Sequence, residues 1–195
     1  MELTTELATK WFELYVQSIQ EHKDQLNELD TAIGDGDHGT NMLRGVEQVQ
    51  TVLQQQATAN LSDLLKQVAF ALISKVGGAS GPLYGTALLD MSKYVQEHDS
   101  QLSNLIASGA AGIKRRGQSQ VGDKTMLDVW QPVADDLANN QFSSSNLDQH
   151  LQATADLEAK KGRASYLGER SVGHLDPGAK SSELLFDCLL QVLNK

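Results

Sequence analysis

Four glycine-rich stretches interrupt an otherwise helix-patterned chain, and they fall at alternate joints. Leu3, Leu7, Trp11, Leu14 and Ile19 recur at helical spacing, as do Met42, Val46, Val49 and Leu53. The same reading predicts helices over about 4–27, from near Thr40, and from an Asn60 cap to Lys75. It continues with helices over about 82–97, from a cap at Asp99 or Ser100 to Gly117, from Asp123 or Thr125 onward, over 147–161 and over 180–194. Gln54 to Ala59 reads as the exit from the second helix, Gly117 as a left-handed cap, and Pro132 as a kink or a later start in the sixth. No segment reads as a convincing strand, and only 5% aromatic residues and 3 prolines suit helices better than a β-sandwich. The expected fold is an all-α, eight-helix antiparallel up-and-down barrel. The whole chain, 1–195, is expected to be one domain with a sizeable core. In that arrangement the connections after helices one, three, five and seven share one end.

The first of those connections is the most acidic: Asp30-Thr-Ala-Ile-Gly34-Asp35-Gly36-Asp37-His38-Gly39-Thr40-Asn41. The glycines disfavour a helix between Asp35 and Asp37, so a tight loop is expected to turn three acids inward. Clustered carboxylates repel unless a cation separates them, and Mg²⁺ takes one or two carboxylates while leaving places for phosphate oxygens. The bland alternative is an acidic surface turn whose aspartates cap the next helix. An EF-hand is excluded, because a pattern begun at Asp35 puts Thr40 at the invariant glycine and Val46 at the bidentate glutamate. No Walker A pattern occurs.

The second connection, Gly77-Gly-Ala79-Ser80-Gly-Pro82, lets a ligand approach the backbone, or simply packs a helix corner. The third, Gln118 to Met126, carries Gly122-Asp-Lys124-Thr125-Met126; the basic run Lys114-Arg115-Arg116 before it suits a helix C-terminus without any ligand. The fourth, residues 162–179, is expected to be a long irregular loop, and loops of that length are often functional. Arg163 within it has the guanidinium fork that phosphoryl oxygens accept. Asp176-Pro177-Gly178 reads as a rigid turn.

The net charge of −9, from 25 acidic against 16 basic residues, argues against a nucleic-acid partner. No uninterrupted apolar run of about 18 residues occurs and the first residues do not read as a signal peptide, so no membrane partner and a cytoplasmic location are expected. Cys188, the single cysteine, lies in an apolar run and is expected to be buried.

Gly34-Asp-Gly-Asp-His-Gly39, Gly77-Gly-Ala-Ser-Gly-Pro82, Gly122-Asp-Lys-Thr-Met126, Lys161-Gly-Arg-Ala-Ser-Tyr166 and Asp176-Pro-Gly178 together resemble the nucleotide-binding domain of dihydroxyacetone kinases. More narrowly, the chain is similar to the DhaL-type ADP-binding subunits of the phosphoenolpyruvate-dependent kinases, over essentially its whole length. That resemblance implies a helical barrel and two Mg²⁺ ions on Asp30, Asp35 and Asp37. It also implies ADP or ATP held tightly by His38, Gly39, Thr40, Asn41, Ala79, Ser80, Gly117, Thr125, Met126, Arg163, Asp176, Pro177 and Gly178, with Arg163 the catalytic contact to the phosphoryl group.

The implied activity is phosphoryl transfer from a phosphohistidine on a DhaM-type partner to bound ADP, then to dihydroxyacetone on a DhaK-type subunit. A homodimer within the complex is implied too. His38 is read as a ligand contact or hydrogen-bonding group rather than a phosphohistidine. The other readings are the nucleotide domain of an ATP-dependent kinase, a noncatalytic nucleotide sensor, and a metallohydrolase built on a carboxylate pair.

Overall fold

The structure, a computed structural model, describes residues 1–55 and 60–194. The expected exit from the second helix therefore lies partly, at 56–59, outside the described residues. Eight α-helices follow in order: α1 (Thr5–Ile33), α2 (His38–Gln55), α3 (Leu61–Lys75), α4 (Ser80–Glu97), α5 (Leu102–Gly117), α6 (Leu127–Ala138), α7 (Ser144–Ala153) and α8 (Pro177–Leu193). A 3₁₀ turn, Thr154–Asp156, continues α7 without a break, and a separate 3₁₀ segment, Arg163–Ser171, stands between α7 and α8. That makes nine helical runs among the described residues. The one β-type pairing among them is an isolated bridge from Glu2 to Gln101.

The expected eight-helix up-and-down barrel is therefore corrected to an all-helical bundle with an additional helical segment and no β-sheet. The physical reasons lie in the last third of the chain. Helix α7 is short and α6 packs on α8 as well as on α7, so α7 stands beside the round rather than within it. The fourth connection is not structureless either. Gly162 and Gly168 adopt positive φ and bend it into two short 3₁₀ pieces.

Sequential antiparallel packing of α1 on α2, α2 on α3, α3 on α4, α4 on α5 and α5 on α6 encloses one apolar core, and α8 closes it against α1. Trp11, Trp130 and Phe186 are fully buried within it, and Trp130 meets Phe186 edge to face with centroids 4.9 Å apart. Trp11 is thus a core residue whose indole N–H donates to the Leu185 carbonyl at 2.7 Å. Cys188 is buried, as its apolar neighbours imply.

Helix ends place the site. Helix α1 runs one and a half turns past its expected end, because Leu26, Asp30 and Ile33 continue its buried stripe. Asp30 is accordingly a helical residue. Asn60 caps α3 as expected, its side chain accepting from the Asp63 N–H. Asp176 is the N-cap of α8 and Pro177 its first residue, so the segment read as a rigid turn is a helix start. Gly117 is the last residue of α5, and Gln118 takes the left-handed conformation in its place, at φ 47°. Helix α6 runs through Pro132 unbroken.

Gly39 packs closely against α1. A Cβ there would overlap the Lys23 carbonyl oxygen of α1. Gly39→Ala should force α1 and α2 apart and destabilise the fold by about 2 kcal/mol, the usual scale of overpacking. Urea unfolding against wild type measures it.

Candidate functional site: a carboxylate-lined cavity at one end of the bundle

A cavity of about 460 Å³ opens at the end of the bundle where α1, α3 and α5 finish and α2, α4, α6 and α8 begin. Of the residues singled out from sequence, it is lined by Asp30, Asp35, Asp37, His38, Asn41, Ala79, Ser80, Gly117, Thr125, Met126, Arg163, Asp176, Pro177 and Gly178. Gly39 and Thr40 are not among its walls. The Thr40 hydroxyl accepts from the Asn27 side-chain amide at 3.0 Å, and the Thr40 N–H donates to the Asn27 side-chain Oδ1 at 3.0 Å, both towards α1.

Carboxylate oxygens of Asp30, Asp35 and Asp37 all lie within 4.8 Å of one another. Asp30 is buried, while Asp35 and Asp37 are exposed to the cavity. Asp30 is anchored by the start of α2: one of its oxygens accepts the Asp37 N–H at 2.9 Å and the His38 N–H at 3.1 Å. A carboxylate at a helix N-terminus also meets the favourable end of the peptide dipoles. Gly34 permits this, since a Cβ there would collide with the Asp30 carboxylate. Asp37 accepts from the Asn41 amide at 2.7 Å, and Asn41 in turn accepts from Arg44. Asp35 pairs with Arg163 at 3.0 Å, across the mouth. Three acids so close, with only an exposed guanidinium against them, form a group able to hold a hard cation.

Around the acids stand four helix N-termini, those of α2, α4, α6 and α8, several of whose first N–H groups are capped by Asp30, Asn27, Thr125 and Asp176 side chains. Such ends bind phosphate. Arg116 and Lys161 join Arg163 among the lining residues. Arg116 had been read only as a helix-terminal charge, although the alternate placing of the connections already put the end of α5 at the shared end.

The third loop is held by groups the sequence did not mark for this role. Asp128, in the first turn of α6, reaches back to accept the N–H groups of Gly122 and Thr125. Lys124, with φ 59°, points inward and is fully buried. Its ammonium donates to the carbonyls of Thr154, Ala155, Leu157 and His174. Burial lowers its pKa, against the charges of Asp176, Asp156 and Asp128. Lys124 therefore fastens the third loop to the fourth.

His38 is buried, with Nε2 at 2.9 Å from the Ser181 hydroxyl and Nδ1 at 3.4 Å from that of Ser80. Burial brings its pKa down to about 4, outweighing Asp30 and Asp37, so the ring is neutral at pH 7. Asp176 accepts the Ala179 N–H at 2.7 Å, and burial pushes its carboxyl up to about 7, with Asp128 adding to the rise and Lys124 opposing it.

Fold and site thus define a helical protein with a cavity at one end of its bundle, where three carboxylates are placed so that they could hold a hard cation. The DAK2 domain family matches residues 32–191. The chain is 50% identical over 187 residues to the "PEP-dependent dihydroxyacetone kinase 1, ADP-binding subunit DhaL" of Listeria innocua, covering 94% of each chain. It is 49% identical over 191 residues to the "PTS-dependent dihydroxyacetone kinase, ADP-binding subunit DhaL" of Lactococcus lactis, covering 98% of this chain and 99% of that one. The crystal structure of the C. freundii dihydroxyacetone kinase in complex with AMP-PNP and Mg²⁺ superposes with a TM-score of 0.78 at 25% identity. That match covers 98% of this chain and 34% of the larger kinase. The chain belongs to the DAK2 domain family and, within it, to the DhaL type. Among the described residues, no helix is long and apolar enough to cross a membrane.

The raised pKa of Asp176 gives a pH signature in the ligand-free protein. The folded state holds this proton more tightly than the unfolded chain, so the group adds stability at low pH and loses it as pH rises from about 4 to about 7. Asp176→Asn keeps an acceptor for the α8 cap. Its stability curve, from urea midpoints between pH 4 and 8, should lack that decline relative to wild type.

Proposed function

We propose that this chain is the nucleotide-binding subunit of a multi-subunit dihydroxyacetone kinase. Its tightly bound ADP receives a phosphoryl group from a phosphohistidine on a DhaM-type partner, and the phosphoryl group passes on to dihydroxyacetone held by a DhaK-type subunit. The observation that carries this reading is the meeting of four alternate connections in one cavity that joins a carboxylate triad to four helix N-termini. Near-full-length similarity to two subunits of that description supports the narrower assignment. The resemblance also implies a homodimer within the complex.

Asp30, Asp35 and Asp37 would hold two Mg²⁺ ions, whose role when bound is to neutralise charge on the phosphate oxygens. The protein's own part is positioning. His38, Asn41, Ala79, Ser80, Gly117, Thr125, Met126 and the Asp176-Pro177-Gly178 segment form the walls against which the nucleotide lies. The start of α4, at Ser80 and Gly81, would offer backbone N–H groups to its phosphates, and the positive dipole ends of α2, α6 and α8 face the same cavity. Arg163 reaches across the mouth from the fourth connection and is the charged group best placed to meet the transferring phosphoryl oxygens. No side chain is required as a nucleophile, because phosphoryl transfer rests on orientation and charge stabilisation.

Two measurements test this. Asp35→Ala should weaken magnesium-dependent ADP binding by at least about tenfold, the cost of about 1.4 kcal/mol. Calorimetry with and without Mg²⁺ decides; unchanged magnesium-dependent affinity refutes the metal assignment. Protein loaded with labelled ADP, given the dihydroxyacetone-binding subunit and substrate, should form dihydroxyacetone phosphate from the phosphohistidine donor while the label stays bound. Turnover that requires free ATP, with the label lost each cycle, would identify an ATP-dependent kinase subunit instead.

A further inference from the structure

Behind the cavity wall lies a buried polar layer of which the proposed function uses only His38. It joins Tyr15 of α1, His38 of α2, Tyr84 of α4, Trp130 of α6 and Ser181 and Ser182 of α8, all of them buried. Tyr15 donates to the Ser181 carbonyl at 3.3 Å. The Trp130 indole N–H donates to the Ser182 hydroxyl at 3.1 Å. The Tyr84 hydroxyl lies 2.8 Å from that of Ser181 and 2.9 Å from that of Ser182. No buried side-chain polar atom among the described residues lacks a partner, so every proton in the layer has an address.

Counting those protons decides the state of His38. A carbonyl can only accept. Both serine hydroxyls meet the Gly178 carbonyl, Ser181 at 3.1 Å and Ser182 at 2.8 Å, and each serine has one proton to give. With its proton on Gly178, Ser181 can only accept from its other neighbours, and one of these is His38 Nε2 at 2.9 Å. Nε2 must then carry hydrogen. The alternative, Ser181 donating to a bare Nε2, gives up the Gly178 bond and leaves fewer of the close contacts satisfied.

We infer that Ser181 is a positioning residue that fixes the His38 proton on Nε2 and leaves Nδ1 as a hydrogen-bond acceptor facing Ser80. This rests on the proposed nucleotide reading for its consequence, though not for its geometry. The chain of donors runs Ser80 hydroxyl to Nδ1, Nε2–H to Ser181, and Ser181 hydroxyl to Gly178. It ties the first, second and fourth connections together through one imidazole. It also sets the polarity of Ser80: the hydroxyl proton turns to the ring, and the oxygen lone pairs turn to the ligand. Phosphate oxygens at the start of α4 then rely on backbone N–H groups. With the other tautomer, Nδ1–H would donate to Ser80 and release its proton to the ligand.

The test is nitrogen-15 NMR of histidine-labelled, ligand-free protein at neutral pH, with His38 assigned through His38→Gln. Wild type should show a single Nε2–H tautomer. Ser181→Ala should mix the tautomers and lower magnesium-dependent ADP affinity by on the order of tenfold, the scale of one buried hydrogen bond. Ser181→Thr, which keeps the hydroxyl, should restore both. Tyr84→Phe should cost stability while leaving the tautomer as it is. In a Ser80→Ala background the affinity effect of Ser181→Ala should shrink markedly, because it acts through Ser80. An Nδ1–H tautomer in wild type overturns the inference without needing any variant. So does a Ser181→Ala spectrum and affinity identical to wild type. Failure of wild type to bind ADP would sink the nucleotide reading alone, since the tautomer is read without ligand.

Discussion

Three carboxylates held within 4.8 Å of one another are the constraint on which this end of the molecule depends. Like charges at that spacing repel, so each acid needs its own counterweight. Asp30 finds it in the N–H groups that open α2, which makes one side chain both the end of α1 and the cap of its neighbour. Asp37 leans on Asn41 one turn further along the same helix. Asp35 finds no local donor and takes a guanidinium from far along the chain, Arg163. Any cation that enters the triad competes with Arg163 for Asp35. Filling the metal site and freeing the arginine to face a phosphoryl group are thus coupled by electrostatics alone.

Arg163 can reach Asp35 only because the fourth connection is built from below. Lys124 spends its ammonium on four carbonyls of the segment that follows α7 and the one that precedes α8. A buried cation among carbonyls is a charge-assisted tether, stronger than neutral hydrogen bonds of the same number. It also draws the chain after Ala153 out of α-helical hydrogen bonding, which is why α7 stops well short of its periodic pattern. The Ala159 N–H is held in turn by the Ser171 hydroxyl, closing the 3₁₀ segment on itself.

Helical periodicity made the helices legible, and the punctuation by glycine at alternate joints made the shared end legible, because both are local signals. The meeting of Asp30, Asp35 and Asp37 was readable for the same reason, because the glycines between them force a tight turn. What stayed hidden depends on contacts distant in sequence. The helical extension of α1 through Asp30 needs the burial of Ile33 to be known. Gly39 and Thr40 sit inside a binding motif yet face α1, and only the crossing of two helices reveals it. Nothing local marks Lys124 as a tether, because its carbonyl partners lie about 30 to 50 residues away. The count of helical runs failed in the last third, where glycines at positive φ replace a loop by 3₁₀ turns.

The two halves of the cavity differ in how firmly they are built, and that difference bears on how a nucleotide is retained. The first and second connections are helix ends seated on a buried polar layer, with His38 and Ser181 in contact across α2 and α8. The fourth presents Arg163 at 71% side-chain exposure and Tyr166 at 87%, held across the mouth by one ion pair. An exposed pair of that kind is worth no more than about 1 kcal/mol, too little to close a lid by itself. A nucleotide that stays through a catalytic cycle must therefore supply most of the closing interaction from its own phosphates and the cations they bring. On the proposed carrier reading, retention would then be a property of the loaded site rather than of the empty chain.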